Sequence, residues 1–170
     1  MNRMTLQELV NHISEYDSKI AYKYLDNGEI RTKTYRQLTD DSKSIASYFA
    51  KKGINGCHIA ILGGASVDWI SVYLGITISG NVAVPLDKML PSEEICTLMN
   101  MGDVEMLFAS AEYSEKFSEY MKNCPELKEC ISFSDDTFSE MKKTEAVKLP
   151  QIEEDTLAEL ILTSGTTGKS

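Results

Sequence analysis

The sequence is poor in the residues that build metal centres. Its four cysteines, Cys57, Cys96, Cys124 and Cys130, include no Cys-x-x-Cys pair, and its two histidines, His12 and His58, stand far apart. A structural zinc site draws its ligands from closely spaced cysteines and histidines, so none is expected. Free or buried thiols in a reducing compartment are expected instead, and with them a cytoplasmic location. Basic charge is also short. Against 26 Asp and Glu stand 17 Lys and Arg, and nearly all of the net −9 falls after residue 102. A general nucleic-acid binder shows a basic face, so nucleic acid is not an expected partner. That deficit does not exclude one nucleotide, because backbone N–H groups hold phosphates whatever the net charge. The opening stretch MNRMTLQELVNHISEYD has no apolar core of the kind a signal peptide needs. Internal repeats and low-complexity tracts are missing too.

One run, WISVYLGITISGNVAVPL over 69–86, lacks charge altogether and is long enough to suggest a membrane span. Gly75, Gly80, Asn81 and Pro85 interrupt it. A buried helix over 66–79 followed by a short buried strand fits better, and no membrane span is expected.

With 170 residues and 42% hydrophobic content, the chain is long enough to bury a real core as one domain. Thr5 and Glu8 have the spacing of a capping box and predict a short helix. In IAYKYLDNGEIRTKTY, partial alternation on both sides of Asn27-Gly28 predicts a hairpin, because both residues accept the positive φ of a tight turn. Thr34 and Gln37 repeat the box spacing, and Leu38, Ile45 and Phe49 recur at helical period behind it, up to Gly53 and Gly56.

From there short apolar runs alternate with helical patterns. The runs are CHIAILGG, NVAVPL, EMLFAS, CISFS and LAELIL, with helices expected from Ser66, after Pro91 and from about Glu112. This alternation predicts an α/β fold: a largely parallel sheet with helices on both faces, preceded by a β-hairpin. The polar, acidic segment 134–155 reads as a surface connection with one helical turn over 137–141, where Thr137 and Glu140 again have box spacing.

The last apolar run opens into TSGTTGK. Gly165 and Gly168 let the backbone turn tightly and approach an anion, so that several N–H groups converge on phosphate oxygens. Thr163, Ser164, Thr166 and Thr167 add hydroxyls that donate to phosphate or ligate Mg²⁺, and Lys169 adds a point charge. A Walker A loop would need glycine at position 163, where Thr stands.

The stretch LILTSGTTGKS resembles the phosphate loop of the adenylate-forming enzymes: acyl-CoA synthetases, peptide-synthetase adenylation domains and luciferases. KTYRQLTDDSKSIASYFAKKG is similar to that family's early hairpin and first helix, with Gln37 where Glu is usual. LGITISGNVAVPLDKMLPSEEI is similar to its second conserved stretch. The resemblance implies that residues 1–170 are the N-terminal part of an AMP-binding domain, ending inside the phosphate loop, with no second domain in this chain. It implies a parent that activates a carboxylate with ATP and Mg²⁺, forms an acyl-adenylate, and passes the acyl group to coenzyme A or a carrier phosphopantetheine. An organic or fatty acid is the expected substrate, an amino acid the alternative, and a non-catalytic nucleotide-binding domain a second alternative.

Residues Thr163, Ser164, Gly165, Thr166, Thr167 and Gly168 match the family loop and are assigned to the ATP phosphates and Mg²⁺. No catalytic residue is assigned in 1–170. The family's loop lysine would fall beyond Lys169, whose position is variable, so that role is not carried over. Pro85 and Asp87 are expected to be structural. A chain that stops here is expected to be inactive alone and to self-associate through apolar surface that later elements would cover.

Overall fold

The structure is a computed structural model that describes residues 4–26 and 28–162. It opens with helix α1 (Leu6–Ser14), capped by Thr5: its hydroxyl accepts from Glu8 N–H at 3.2 Å, and the Glu8 carboxylate accepts from Thr5 N–H at 2.8 Å. Strands β1 (Ile20–Asp26) and β2 (Glu29–Thr34) then pair antiparallel, with Asp26 opposite Glu29 and Gly28 at φ +83°. The expected hairpin is therefore present; Asn27 itself lies outside the described residues. Thr34 caps helix α2 (Tyr35–Lys52) through the second box with Gln37, and Gly53 ends it in the left-handed region at φ +70°. Glycine suits that φ because a Cβ there meets the adjacent carbonyl.

Next come β3 (His58–Leu62), α3 (Val67–Ile78), β4 (Val82–Leu86), α4 (Ser92–Met101) and β5 (Val104–Ala109). A 3-10 turn (Ala111–Lys116) leads to α5 (Phe117–Asn123), β6 (Glu129–Ser132) and α6 (Asp136–Met141). The four strands after the hairpin form one parallel sheet in the order β4-β3-β5-β6. From β3 the chain steps one way to β4, then back across β3 to β5 and on to β6. The reversal carries the connecting helices to the opposite face, as right-handed crossovers require. Ile59, Ile61, Met106, Phe108 and Ile131 pack under α2, α3 and α6, whereas Ala60, Leu62, Val84, Leu107 and Ala109 pack under α4 and α5. Alternation along each strand feeds both layers, so the strands read as continuous apolar runs.

The uncharged run 69–86 is thus one helix and one strand. Among the described residues no helix is long and apolar enough to cross a membrane. Helix α3 packs on the sheet beside α2 and meets α1 on its other side: Val72 and Ile76 join the sheet cluster, while Leu74 and Ile78 meet Val10 and Ala46. Its hydroxyls stay satisfied inside this apolar setting, because Ser71 and Thr77 donate to the carbonyls of Val67 and Tyr73 one turn earlier. Gly75 marks its closest approach to α2. A Cβ there would stand 2.7 Å from Ile45 Cγ2 and 3.1 Å from the Ser42 carbonyl oxygen.

Two expectations change. The 137–141 turn starts earlier, at Asp136, with Asp135 as its cap residue and no side-chain cap bond. The Thr137–Glu140 box does not form; the Asp135 carboxylate instead accepts from Ser132 N–H at 2.7 Å, closing the turn that leaves β6. The run LAELIL is not a full strand in its described part. It makes one parallel bridge, Glu159 to Ala83, with Ala83 N–H donating to the Ala158 carbonyl at 3.0 Å and Leu160 N–H to the Ala83 carbonyl at 2.8 Å. The next β4 residue that would face this neighbour is Pro85, which has no N–H to give, so the ladder stops.

Two outcomes follow from this packing. Gly75→Ala should lower stability by about 1–3 kcal/mol, read as a lower urea midpoint, because overpacking at Ile45 outweighs the gain in helix propensity. Stability should also fall at alkaline pH. Burial, as the largest cause, pushes Cys124 and Cys130 from the usual 9.0, and Tyr73 from 10.0, up to about 12. All three are neutral acids whose folded pKa is raised. Their contribution is therefore complete below pH 9 and is lost as pH climbs toward 12. Calorimetry should show the melting temperature falling across that window, and falling less in a Cys124→Ala, Cys130→Ala double variant.

Candidate functional site

In an open parallel sheet, ligands settle beyond the carboxyl ends of the strands, at the point where the strand order reverses. Here that point lies between β3 and β5. The chain leaves β3 through Gly63-Gly64-Ala65-Ser66, and Ser66 caps α3 by accepting from Trp69 N–H at 3.1 Å. It leaves β5 through Ser110, whose N–H donates to the Leu62 carbonyl at 3.0 Å. The two exits touch. Gly63 sits at φ +150°, and a Cβ on it would stand 2.0 Å from Ser110 Oγ. No side chain fits there, so glycine backbone and serine hydroxyl share the crevice.

β4 contributes Asp87 and Lys88 to the same edge. Asp87 accepts from Met89 N–H at 2.8 Å, a turn-closing bond that fits the structural role expected of it. The Lys88 ammonium reaches across to β3: its Nζ stands 3.6 Å from where a Gly64 Cβ would be. Tyr113 fixes the Lys88 backbone by donating to its carbonyl at 3.2 Å. Beyond β6, Ser132 and Ser134 share a hydroxyl contact of 2.8 Å. Among the described residues the edge therefore offers glycine backbone, serine hydroxyls at three exits and the Lys88 ammonium beside the Asp87 carboxylate; the backbone, hydroxyls and ammonium are groups that an anion can use.

The residues assigned from sequence to phosphate and Mg²⁺, Thr163, Ser164, Gly165, Thr166, Thr167 and Gly168, lie outside the described residues. The chain that leads to them is held at two levels. The Ala83 bridge ties its backbone to β4, and Tyr73 of α3 donates to the Glu159 carboxylate at 2.9 Å. Burial first, and this carboxylate second, push the Tyr73 phenol up to about 12, so it remains a donor at any physiological pH. Trp69 stacks on the Tyr73 ring at 5.6 Å and 9° and limits its swing. Leu160 and Leu162 then turn toward the α4 layer, with their methyls 3.5–3.6 Å from where a Gly102 Cβ would be.

Both histidines lie away from the carboxyl edge. His58 Nδ1 contacts the Gly102 carbonyl at 2.6 Å at the amino end of β3, and His12 sits on α1, 3.5 Å from Glu15. Among the described residues no group of three or more His, Cys, Asp or Glu could hold a metal ion. Sequence reasoning missed Gly63, Gly64, Ser110, Lys88 and the Tyr73–Glu159 tie. The pair Gly-Gly followed by a capping serine, directly after an apolar run, was a usable signal for the first two. Nothing local points to a bond spanning residues 73 and 159.

Comparison with known proteins gives this geometry a context. The chain is 27% identical over 80% of its length to malonate–CoA ligase of Arabidopsis thaliana, of which it spans 26%. It is 32% identical over 52% of its length to D-alanine–D-alanyl carrier protein ligase of Lacticaseibacillus rhamnosus, of which it spans 17%. In fold it superimposes on a long-chain-fatty-acid-CoA ligase from Archaeoglobus fulgidus with a TM-score of 0.83 at 17% identity, over 98% of this chain and 36% of that one. The family model described as AMP-binding enzyme matches residues 9–170, a span that takes in the hairpin, every strand of the sheet and the Thr-Ser-Gly-Thr-Thr-Gly sequence. On that match, the chain belongs to the AMP-binding enzyme family.

Proposed function

We propose that this chain forms the first part of the nucleotide-binding domain of an ATP-dependent ligase, one that joins a carboxylic acid to a thiol by way of an acyl-adenylate. The observation that carries the reading is the family match over 9–170, because it includes the loop whose donor chemistry suits a triphosphate. Backbone N–H groups around Gly165 and Gly168 would meet phosphate oxygens, and the hydroxyls of Thr163, Ser164, Thr166 and Thr167 would donate beside them or take Mg²⁺. A bound Mg²⁺ would neutralise charge on the leaving pyrophosphate. The loop's own part is to orient the phosphate chain for attack by the carboxylate at the α-phosphorus. Donors fixed around the leaving group stabilise charge as it develops, and positioning of this kind dominates phosphoryl chemistry.

An acyl-CoA synthetase type is the reading favoured here, with coenzyme A as acceptor. Its rival is the activation of an amino acid for a carrier phosphopantetheine. That rival draws support from the D-alanyl carrier protein ligase, which is more identical to this chain over a shorter span. Among the described residues at the carboxyl edge, Asp87 closes a turn and Tyr113 holds the Lys88 backbone, so neither is assigned a proton-transfer role. Gly63, Ser110 and Lys88 would serve as floor and wall to a phosphate-bearing ligand rather than as reacting groups.

The test is carboxylate-dependent exchange of labelled pyrophosphate into ATP, run with fatty, aryl and amino acids. The longer protein that carries this segment should exchange with one class of acid, and the 170-residue chain alone should not. Absence of exchange with every acid would remove the catalytic reading and favour a non-catalytic nucleotide-binding domain. Sedimentation of the 170-residue chain should show association that grows with concentration, because Leu157 and Ile161 stand 55% and 62% exposed beside the open edge of β4. A clean monomer at high concentration would refute that part.

A further inference from the structure

Away from the carboxyl edge, a groove of about 300 Å³ runs between α1, α2 and the connection that follows α6. It lies near the other end of the sheet, because α3 starts at the Gly63–Ser66 turn and ends at Ile78, which lines this groove. Its floor is apolar: Val10 and Ile78 are 1% exposed, and Leu149 packs against them. The connection is pinned above this floor. Val147 N–H donates to Ser47 Oγ at 3.2 Å, and the Gln7 amide spans the gap, donating at 2.7 Å to both the Ile78 and Pro150 carbonyls. With those bonds made, the groove is held open by its own walls.

Its polar inventory is uneven. The Gln7 amide and the Ser47 hydroxyl are engaged, the latter also donating to the Lys43 carbonyl at 2.7 Å. The polar side chains left over are the exposed Asn11 amide, which is neutral, and Lys43. Lys43 is half-buried, it is the one charged residue lining the groove, and its ammonium has no ion-pair partner among the described residues. Both other described lysines of intermediate burial have one: Lys33 is paired with Asp41, and Lys142 with Asp68. A cation set at the rim of an apolar floor is the arrangement that accepts an anion carrying a hydrocarbon body. The volume is at the small end for ligand pockets, which suits a body of roughly eight carbons.

We propose that this groove binds a small amphiphilic carboxylate, with its chain on Val10, Ile78 and Leu149 and its charged end on Lys43. The lining residues are not those assigned to phosphate, and the proposal does not depend on the proposed ligase activity. Occupancy would fasten α1 and α2 to the connection running toward Pro150, so the ligand would act on the stability of that corner and not on the chemistry.

Octanoate and its neutral analogue octanamide are the probes, added to the 170-residue chain with the methyl groups isotopically labelled. Octanoate should produce saturable shifts at Val10, Ile78 and Val147. Octanamide should bind at least tenfold more weakly, as should octanoate to Lys43→Met, while Lys43→Arg retains binding. If Lys43→Met fails to fold, the comparison of octanoate with octanamide on the unmodified chain decides the matter. Equal binding of the two probes, unchanged affinity in a folded Lys43→Met chain, or shifts confined to other methyls would overturn the proposal. So would concentration-dependent shifts at these methyls without any probe, since they would identify a second copy of the chain as the occupant.

Discussion

The parallel sheet starts from one fully buried amide. Asn81, at 0% exposure, accepts from Cys57 N–H at 3.0 Å through its Oδ1. It donates through its Nδ2 to the Ile54 carbonyl at 3.2 Å and the Ser79 hydroxyl at 2.9 Å. One side chain thereby joins the end of α2, the start of β3, the end of α3 and the start of β4. The backbone follows the same path, with Val82 N–H donating to the Cys57 carbonyl at 2.9 Å and Gly56 N–H to the Gly80 carbonyl at 3.2 Å. A buried amide left unpartnered costs about 1–3 kcal/mol, so this arrangement tolerates only the register that satisfies it. With β3 and β4 aligned by residue 82, the order of everything downstream is constrained, and so is the level at which Gly63, Lys88 and Ser110 meet at the far edge.

Much of this fold was legible in short windows of sequence, for local reasons. The boxes at Thr5–Glu8 and Thr34–Gln37 name their helices because cap and partner lie three residues apart, with nothing else nearby competing for either. HIAIL, VAVPL and MLFA read as buried strands because both faces of a parallel sheet are covered. The same logic failed at Thr137–Glu140, where a stronger acceptor, Asp135, closed the preceding turn and set the helix start. It failed again at LAELIL, whose apolar pattern is right for a strand but whose neighbour presents a proline. Pattern reports what a segment could bury, not whether an edge will receive it.

The sequence singled out a candidate site by composition, at residues that lie outside the described ones. The loop over 163–168 stands out by composition alone, since hydroxyls and glycines at that density have few other uses. The floor beneath the carboxyl edge does not stand out, because Gly63 and Ser110 become partners only through the crossover that brings β5 beside β3. The Tyr73–Glu159 tie is invisible for the same reason: its two halves come from unrelated segments. Such contacts depend on topology, and topology was predicted here only as a class.

Pro85 has a consequence for the molecule's dealings with other chains. An open parallel edge is a template on which further strands can stack, from a neighbouring copy as readily as from the same polypeptide. On β4 that template has Ala83 already engaged by Ala158 and Leu160, and at Pro85 it withholds the next donor. A stray strand arriving there would have to displace that one rung and would find no donor at the next, too little to repay the ordering of its backbone. The proline thus acts as a gatekeeper against fibril growth at the β4 edge of the sheet.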